Sequence, residues 1–306
     1  MEITVLAYQQ DAHKKYLWVK DKALASYTTD DIEILIATMD REDLSFLERI
    51  FSLPVNQIRQ PILIVNQSKT RQLSSNIDFI RVINDANYGL SRSRNIALEN
   101  ASRKYVWILD DDVQVLPTAM THILQAIYKH PNAAALTFKM QLPDGNPKRS
   151  YAAEEFEYRK THLSHGPASI EIVLNVERLQ TSGVHFNQRF GLGAQFPLGE
   201  EQVLFTDLLH AGEQARFIPE FIVQHDEVSS GIDPTSKKTI YARGAVAAHS
   251  NQIKAIFLNF KYVFFLWRKG YVKNWSKLIE AYWLFDHGVE DYATGFEGHR
   301  NLHLDL

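Results

Sequence analysis

The sequence predicts an α/β fold, with a mostly parallel sheet flanked by helices and a helical appendage at the C-terminal end. Short apolar runs rich in β-branched residues alternate with segments whose apolar residues recur at helical spacing. The chain has 306 residues, enough to bury a substantial core. After residue 244 this alternation stops, and two helical segments broken near Gly270 close the chain.

The predicted elements follow one another in the order of βαβ units, which build parallel sheets. Predicted strands cover residues 33–38, 61–66, 79–83, 105–109, 133–140, 171–175 and 217–223. Predicted helices cover residues 43–53, 91–102, 117–130 and 203–209. We expect three regions: an N-terminal extension packed on the sheet (1–31), the α/β domain (32–244) and a C-terminal helical segment (245–306).

The composition disfavours several classes of function. The chain has no cysteine, which excludes disulfides, thiolate nucleophiles and Cys-ligated zinc. Its net charge of −3 gives no basic field for a nucleic acid, so we expect no nucleic-acid partner. Neither a signal-peptide pattern nor an uncharged apolar run of roughly 18 to 20 residues is present. We expect a cytoplasmic protein, either soluble or peripheral on the inner face of the cell membrane.

An aspartate triplet follows the predicted strand 105–109 directly, where ligands bind in parallel sheets. Asp110 and Asp112 are one residue apart and should project to the same side, whereas Asp111 should point away. Carboxylates suit hard divalent cations, and such a cation can neutralise a diphosphate leaving group. The alternative is a solvated turn that caps the next helix. Three like charges beside a buried strand favour the metal site.

Two further motifs carry possible chemistry. The pair Glu200–Glu201 opens a predicted helix, where a carboxylate could remove the proton of an attacking hydroxyl. Alternatively, the pair only stabilises the positive end of the helix dipole. His225 follows the predicted strand 217–223 and could complete the coordination of a metal. A surface histidine at a strand end explains it equally well.

The order of these motifs resembles the inverting glycosyltransferases of family 2, of the bacterial surface-polysaccharide type. The motifs are NYGLSRSRNIA (87–97), WILDDD (107–112), GVHFNQRFGLG (183–193), GEEQ (199–202) and the late histidine. The resemblance covers about residues 33–227 and implies the GT-A fold, which is Rossmann-like. It also implies transfer of a sugar from a nucleotide-sugar donor to a hydroxyl of a saccharide or lipid-linked acceptor, with Mn²⁺ or Mg²⁺ as cofactor.

The resemblance also implies a role for individual residues. Asp112 matches the direct metal ligand of the Asp-x-Asp motif, and His225 matches a second metal ligand. Glu201 stands where the family places its catalytic base, usually an aspartate. The implied donor-binding residues are Thr38, Asn66, Arg94, Asp110 and Asp111. We expect the polar segment 226–238 to be a loop that closes over the donor.

One departure from the family pattern concerns the base of the donor. After the second strand the family usually has Asp-Asp-Gly-Ser, whose aspartate accepts a hydrogen bond from uracil. Here the residues are Asn66, Gln67 and Ser68. An amide can accept that hydrogen bond and can also donate one. UDP is therefore the favoured nucleotide, and thymine and guanine stay open.

The first of the C-terminal helical segments carries an apolar stripe at spacings of three and four residues: Ile253, Phe257, Phe260, Phe264, Trp267 and Tyr271. Cations accompany it: Lys254, Lys261, Arg268, Lys269, Lys273 and Lys277. Two interpretations are equally favoured. Residues 253–277 could contact an anionic membrane surface. Alternatively, the stripe packs on the α/β domain or on a partner subunit of a homo-oligomer.

Two other functions compete with sugar transfer. A nucleotidyltransferase acting on sugar phosphates usually has a Gly-rich basic loop after the first strand, but the residues there are MDRE (39–42). An inactive, transferase-like membrane scaffold is the other alternative. The presence of Asp112, Glu201 and His225 together argues against it.

Overall fold

The computed structural model of the chain describes residues 27–159, 162, 166–226 and 233–296. Most of the predicted N-terminal extension, residues 1–26, lies outside the described residues, as do residues 227–232 of the predicted donor loop. The described part begins with a 3₁₀-helix at Thr29–Asp31, which Thr28 caps through its side chain. The first strand follows immediately.

One half of the sheet is parallel and consists of β1 (Ile32–Met39), β2 (Ile62–Gln67), β3 (Ile80–Asp85) and β4 (Tyr105–Asp110). The spatial order of these strands is β3-β2-β1-β4. The runs forming β1, β2 and β4 are apolar almost throughout, because both faces of the sheet are covered. The predicted strands of this region are confirmed to within one or two residues.

Three helices lie between these strands or directly after them. They are α1 (Phe46–Phe51), α2 (Leu90–Glu99) and α3 (Ala119–Lys129). Helix α1 is shorter than the predicted 43–53, because Ser52 takes a left-handed conformation with φ +52° and ends it. Helix α3 buries Ala119, Ile123 and Ile127 at helical spacing, as its sequence pattern predicts.

The other half of the sheet is mixed. Strand β8 (Ile172–Asn175) runs antiparallel to both of its neighbours, β4 and β6 (Ala135–Gln141). Strand β9 (Ala215–Gln224) is parallel to β6, and it also pairs with the short strands β5 (Gln114–Val115) and β7 (Phe156–Glu157). The α/β class is confirmed, but this half contains antiparallel strands that the apolar runs alone did not reveal.

Two apolar layers cover the sheet. One face packs under α1 and α3, with Trp107 and Phe138 fully buried in it. The other face packs against α5 (Glu200–His210), with α4 (Val176–Ser182) at its end. On that face Leu204, Phe205 and Leu208 are completely buried. Burial on both faces holds the strand ends, and the polar residues that follow them, in fixed positions.

The chain closes with a helical hairpin of α6 (Lys237–Arg268) and α7 (Trp275–Ala293). The predicted break near Gly270 is confirmed, because Gly270 has φ +73° directly after α6. Helix α6 already begins at Lys237, so the predicted boundary between residues 244 and 245 falls inside a helix. The division into domains stays a prediction.

The two helices of the hairpin cross almost in backbone contact. A Cβ on Gly244 would lie 1.9 Å from the carbonyl oxygen of Phe285, and one on Gly288 would lie 1.9 Å from that of Tyr241. Only glycine permits such an approach. Across the described ranges, no helix combines the length and apolar character that crossing a bilayer requires.

Candidate active site

The carboxyl ends of three parallel strands bring the first group of predicted site residues together. Thr38 on β1 lies in register with Asn66 on β2, and Ala37 lies in register with Asp110 on β4. The side chains that follow the apolar runs therefore share one edge of the sheet, which is where α/β proteins bind ligands.

Asp111 is held against the end of β1. Its carboxylate accepts hydrogen bonds from the hydroxyl of Thr38 and from Arg41, whose Nη2 lies 2.7 Å and Nε 3.0 Å away. Arg49 of α1 donates to the backbone carbonyl of Asp111 at 2.6 Å. The contacts of Asp111 therefore differ from those of Asp110 and Asp112 on either side of it.

Asn66 is completely buried and fixes the segment after β1. Its Oδ1 accepts a hydrogen bond from the backbone N–H of Arg41 at 3.1 Å. Its Nδ2 donates to the carbonyl of Arg41 at 3.2 Å and to the Oδ1 of Asn84 at 3.0 Å. The amide of Asn66 therefore fixes the backbone of Arg41 by bonding both its N–H and its carbonyl. Its predicted contact with the base of a donor stays a prediction.

Arg94 connects the end of β4 with the start of α5. Its Nη1 donates to Glu200 and to Glu201, each at 3.2 Å, and its Nη2 donates to Asp110 at 3.4 Å. The side chain is only 3% exposed, and its guanidinium lies 5.5 Å from the centre of the Phe186 ring. One buried cation thus joins two adjacent carboxylates, Glu200 and Glu201, to Asp110, which is about 90 positions earlier in the sequence.

The environment of Glu201 favours its protonated form. Burial raises the pKa of Glu201 above its ordinary value, and the neighbouring carboxylate of Glu200 raises it further, whereas Arg94 lowers it. A carboxylate whose pKa is raised toward neutrality is well suited to take a proton from a hydroxyl.

The turn that presents this carboxylate requires a glycine. Gly199, the N-cap of α5, has φ +97°, and a Cβ there would lie 2.4 Å from the Cγ2 of Val246 in α6. Ser91 of α2 fixes the preceding loop by donating to the carbonyl of Phe190 at 2.6 Å. The first turns of α6 therefore pack directly under the turn that carries Glu201.

The two predicted metal ligands lie side by side. The Nε2 of His225 is 3.5 Å from the Oδ1 of Asp112, with side-chain exposures of 13% and 57% respectively. The pair lowers the pKa of the Asp112 carboxyl through its contact with the imidazole, and raises the pKa of His225 through the same contact. The Nδ1 of His225 lies 2.9 Å from the carbonyl oxygen of Asp226. Strands β5 and β9 pair antiparallel, with Gln114 opposite Gln224. Residue 112, just before β5, therefore meets residue 225, just after β9.

This pair suits a divalent cation. Ligands of an octahedral ion at about 2.1 Å lie about 3 Å apart, close to the separation of Asp112 and His225. An Nδ1–H donated to the carbonyl of Asp226 would leave Nε2 as the ligand atom. Over residues 27–159, 162, 166–226 and 233–296, no three His, Asp or Glu side chains form a ready metal cluster. Asp112 and His225 therefore stay two candidate ligands among the described residues.

Several contacts at this edge were missed from the sequence. Arg41 lies in the MDRE segment, which we used only to argue against a phosphate loop, yet it binds Asp111. Arg49 and Ser169 were also missed; Ser169 donates to Asp110 at 3.4 Å. No spacing rule connects Arg49 or Ser169 with the triplet, because the contacts depend on how the elements pack.

Comparison with protein families agrees with this geometry. The model of the family described as "Glycosyl transferase family 2" matches residues 33–172, which include the parallel half of the sheet and the aspartate triplet. Residues 33–172 are thus similar to a family 2 glycosyltransferase domain. No curated protein matches the chain.

Solved structures share the fold of this chain. S. aureus TarS residues 1–349 in complex with UDP-GlcNAc has 15% sequence identity and a TM-score of 0.53, covering 88% of this chain and 93% of that chain. The complex of the same TarS fragment with UDP has 15% identity, the same coverage and a TM-score of 0.50. A longer TarS structure has 15% identity and a TM-score of 0.48. The match includes 75% of this chain but only 43% of the length of that structure. The fold is GT-A, as the sequence predicted.

Proposed function

We propose that the protein transfers a sugar from a nucleoside-diphosphate donor, most favourably a UDP-sugar, to a hydroxyl of a saccharide or lipid-linked acceptor, with inversion at the anomeric carbon. Similarity of residues 33–172 to glycosyltransferase family 2 supports sugar transfer. The single observation that carries the mechanism is the position of Arg94, which joins the predicted base Glu201 to Asp110 at the donor edge.

The donor would lie along the carboxyl ends of β1, β2 and β4. There Thr38, Asp110 and Asp111 present hydroxyl and carboxylate groups that can accept hydrogen bonds from ribose hydroxyls. TarS, which shares the fold, has been crystallised with UDP and with UDP-GlcNAc. That observation supports a uridine nucleotide as the first donor to test.

The chemical step would be one displacement. The acceptor oxygen forms a bond to the anomeric carbon while the bond from that carbon to the phosphate oxygen breaks. The nucleoside diphosphate leaves with the electron pair of that bond, and Glu201 takes the proton of the acceptor hydroxyl. Its raised pKa supports this role. A single displacement inverts the anomeric configuration.

Asp112 and His225 would hold Mn²⁺ or Mg²⁺. A divalent cation bound there would neutralise the charge that develops on the leaving diphosphate. Asp112 is more than half exposed, so its carboxylate can face a bound nucleotide. With two protein ligands, the remaining coordination positions are left for phosphate oxygens and water, which suits a cation that binds together with its nucleotide.

The test combines donor binding with turnover. We expect UDP-sugars to raise the melting temperature in the presence of Mn²⁺, and we expect slow hydrolysis of the best donor. Glu201→Gln should keep the shift and lose transfer, whereas Glu154→Gln, an exposed carboxylate, should behave as the wild type. Normal turnover by Glu201→Gln would overturn the proposal. A preference for nucleoside triphosphates would indicate a nucleotidyltransferase, and the absence of any shift would indicate a scaffold.

A further inference from the structure

The far half of the C-terminal hairpin exposes an unusual amount of apolar side chain. We call this surface the aromatic face. It comprises Ile253, Ile256, Phe257, Phe260, Phe264, Trp267, Tyr271, Trp275, Ile279 and Trp283. Each of these side chains is more than half exposed, up to 75% for Trp275 and 87% for Ile253. An apolar patch of this extent usually marks an interaction site.

The part of the aromatic face on α6 belongs to a segment of that helix that begins anew at Asn251. Asn251 has φ −173° and ψ 109° inside α6, and its side chain caps the following turn by accepting a hydrogen bond from Lys254 N at 2.9 Å. Before this kink, α6 is buried beside the active site. After it, only the side that carries Ala255, Asn259 and Leu266 is buried. The opposite side carries the exposed apolar residues of the aromatic face.

Ring contacts join the two helices of the aromatic face. The rings of Phe260 in α6 and Tyr282 in α7 lie 5.3 Å apart, and Tyr282 lies 5.7 Å from Trp283. Along α6, Phe264 and Trp267 lie 5.6 Å apart. On α7, Trp275, Ile279 and Trp283 follow one another at intervals of four residues, so they share one side of that helix. The exposed surface is therefore continuous from one helix to the next.

The charge around the aromatic face is mostly positive, and Glu280, between Ile279 and Trp283, is paired with Lys237 at 3.2 Å. Between Asp233 and Glu280 the sequence contains no Asp or Glu, although the whole chain has a net charge of −3. Six exposed cations border the face: Lys254, Lys261, Arg268, Lys269, Lys273 and Lys277. A surface that combines exposed aromatic side chains with unopposed cations is complementary to anionic lipid.

We propose that the aromatic face docks on the surface of an anionic membrane, with its rings at the acyl boundary and its cations beside the lipid phosphates. Aromatic rings favour this interfacial depth, and lysine side chains reach outward from it to the headgroups. A second copy bound through the same face would instead bring two sets of six cations together, and repulsion between like charges opposes that arrangement. The inference does not depend on the proposed sugar transfer.

The experiment is sedimentation of the full chain with vesicles. We expect binding to vesicles of equal parts phosphatidylglycerol and phosphatidylcholine, weaker binding at high salt, and little binding to phosphatidylcholine alone. The triple variant Phe257→Gln, Phe264→Gln, Trp267→Gln should lose binding. The triple variant Lys261→Gln, Arg268→Gln, Lys273→Gln should bind anionic vesicles about a hundredfold more weakly.

A matched charge control separates docking from general attraction. Arg103→Gln, Lys129→Gln and Arg159→Gln remove three exposed cations from the sheet domain and should leave vesicle binding unchanged. Near-UV circular dichroism should show that all variants are folded. Failure of the wild type to bind anionic vesicles, or an equal loss in the control, would overturn the proposal. So would a dimer, seen by analytical ultracentrifugation, that the aromatic variant dissociates.

Discussion

The guanidinium of Arg94 lies 3.2 Å from the carboxylate of Glu201, and the same group holds Glu200 at 3.2 Å. Two carboxylates on the first turn of one helix repel each other, and both are drawn out of water. Arg94 is the cation that offsets this repulsion. The protonation of Glu201 therefore depends on a residue 107 positions away in the sequence.

Removing the charge of Arg94 should shift the pH dependence of transfer. Without the cation, the pKa of Glu201 rises further, because the anionic form loses its partner. Each unit of that rise lowers the reactive fraction at neutral pH about tenfold. We expect Arg94→Gln to be slow at neutral pH and to recover in alkaline buffer, and Arg94→Lys to lie between it and the wild type. The measurement is kcat/KM against pH.

Arg178→Gln is the control for that series. This substitution breaks the ion pair between Arg178 and Glu213, which lies away from the site. The Nη2 of Arg178 is 2.9 Å from the Oε2 of Glu213, a distance similar to those around Arg94. The substitution should alter stability and leave the shape of the pH profile unchanged. An Arg94→Gln profile that is lower at every pH but unshifted would show that Arg94 does not tune the base.

The wild-type enzyme should become more active as pH rises through the neutral range. Burial and the carboxylate of Glu200 raise the pKa of Glu201 to about 8, so the group is deprotonated, and able to accept a proton, only toward alkaline pH. Glu201→Asp should keep some activity, because it retains the carboxylate. An activity that is flat from about pH 6 to about pH 9 would contradict the assignment of Glu201 as the base.

The same raised pKa should make folding stability depend on pH. The folded protein binds the proton of Glu201 more tightly than the unfolded chain does. In the unfolded chain the pKa of this glutamate has its ordinary value of 4.5. Stability from this group is therefore present below that value and is lost as pH rises toward the folded-state pKa. We expect the free energy of unfolding, measured with urea, to fall across this window in the wild type. In Glu201→Gln the fall should be smaller, since glutamine does not titrate.

Loss of His225 should weaken the binding of a cation. His225→Ala removes one of the two proposed, neighbouring ligands, so Mn²⁺ affinity in the presence of UDP should fall at least about tenfold. His185→Ala removes an exposed imidazole elsewhere and is the matched control. Calorimetric titration of Mn²⁺ is the measurement. Equal affinities for the wild type and His225→Ala would exclude this pair as the metal site.

How much the sequence predicts differs between elements and contacts. The apolar runs of β1, β2 and β4 predict strands because burial on both faces leaves little room for polar residues. The antiparallel direction of β8 was not predictable in this way. Three of its four residues are apolar whichever way the strand runs, and only their pairing with β4 and β6 sets the direction.

The site divides in a similar way. Asp112 and His225 are 113 residues apart, and only the family resemblance paired them before the structure placed them together. Arg41 and Arg49 belong to no motif, so their contacts with Asp111 follow from how α1 and the segment before it pack beside the end of β4. Chemistry concentrated in a motif is visible in the sequence, whereas the groups that orient it depend on tertiary packing.

The contact between Gly199 and Val246 should control both stability and the position of Glu201. Gly199→Ala places a methyl group 2.4 Å from the Cγ2 of Val246 at a backbone φ of +97°, so we expect a loss of about 1–3 kcal/mol of stability and reduced transfer. Adding Val246→Ala removes the clash but not the backbone strain. The double variant should therefore recover part of the stability and part of the transfer activity. Gly145→Ala, at φ +82° with open space around it, isolates the strain alone. Urea unfolding and kcat for the three variants and the wild type separate the two effects. If Gly199→Ala were no less stable than Gly145→Ala, steric contact with α6 would not constrain the turn.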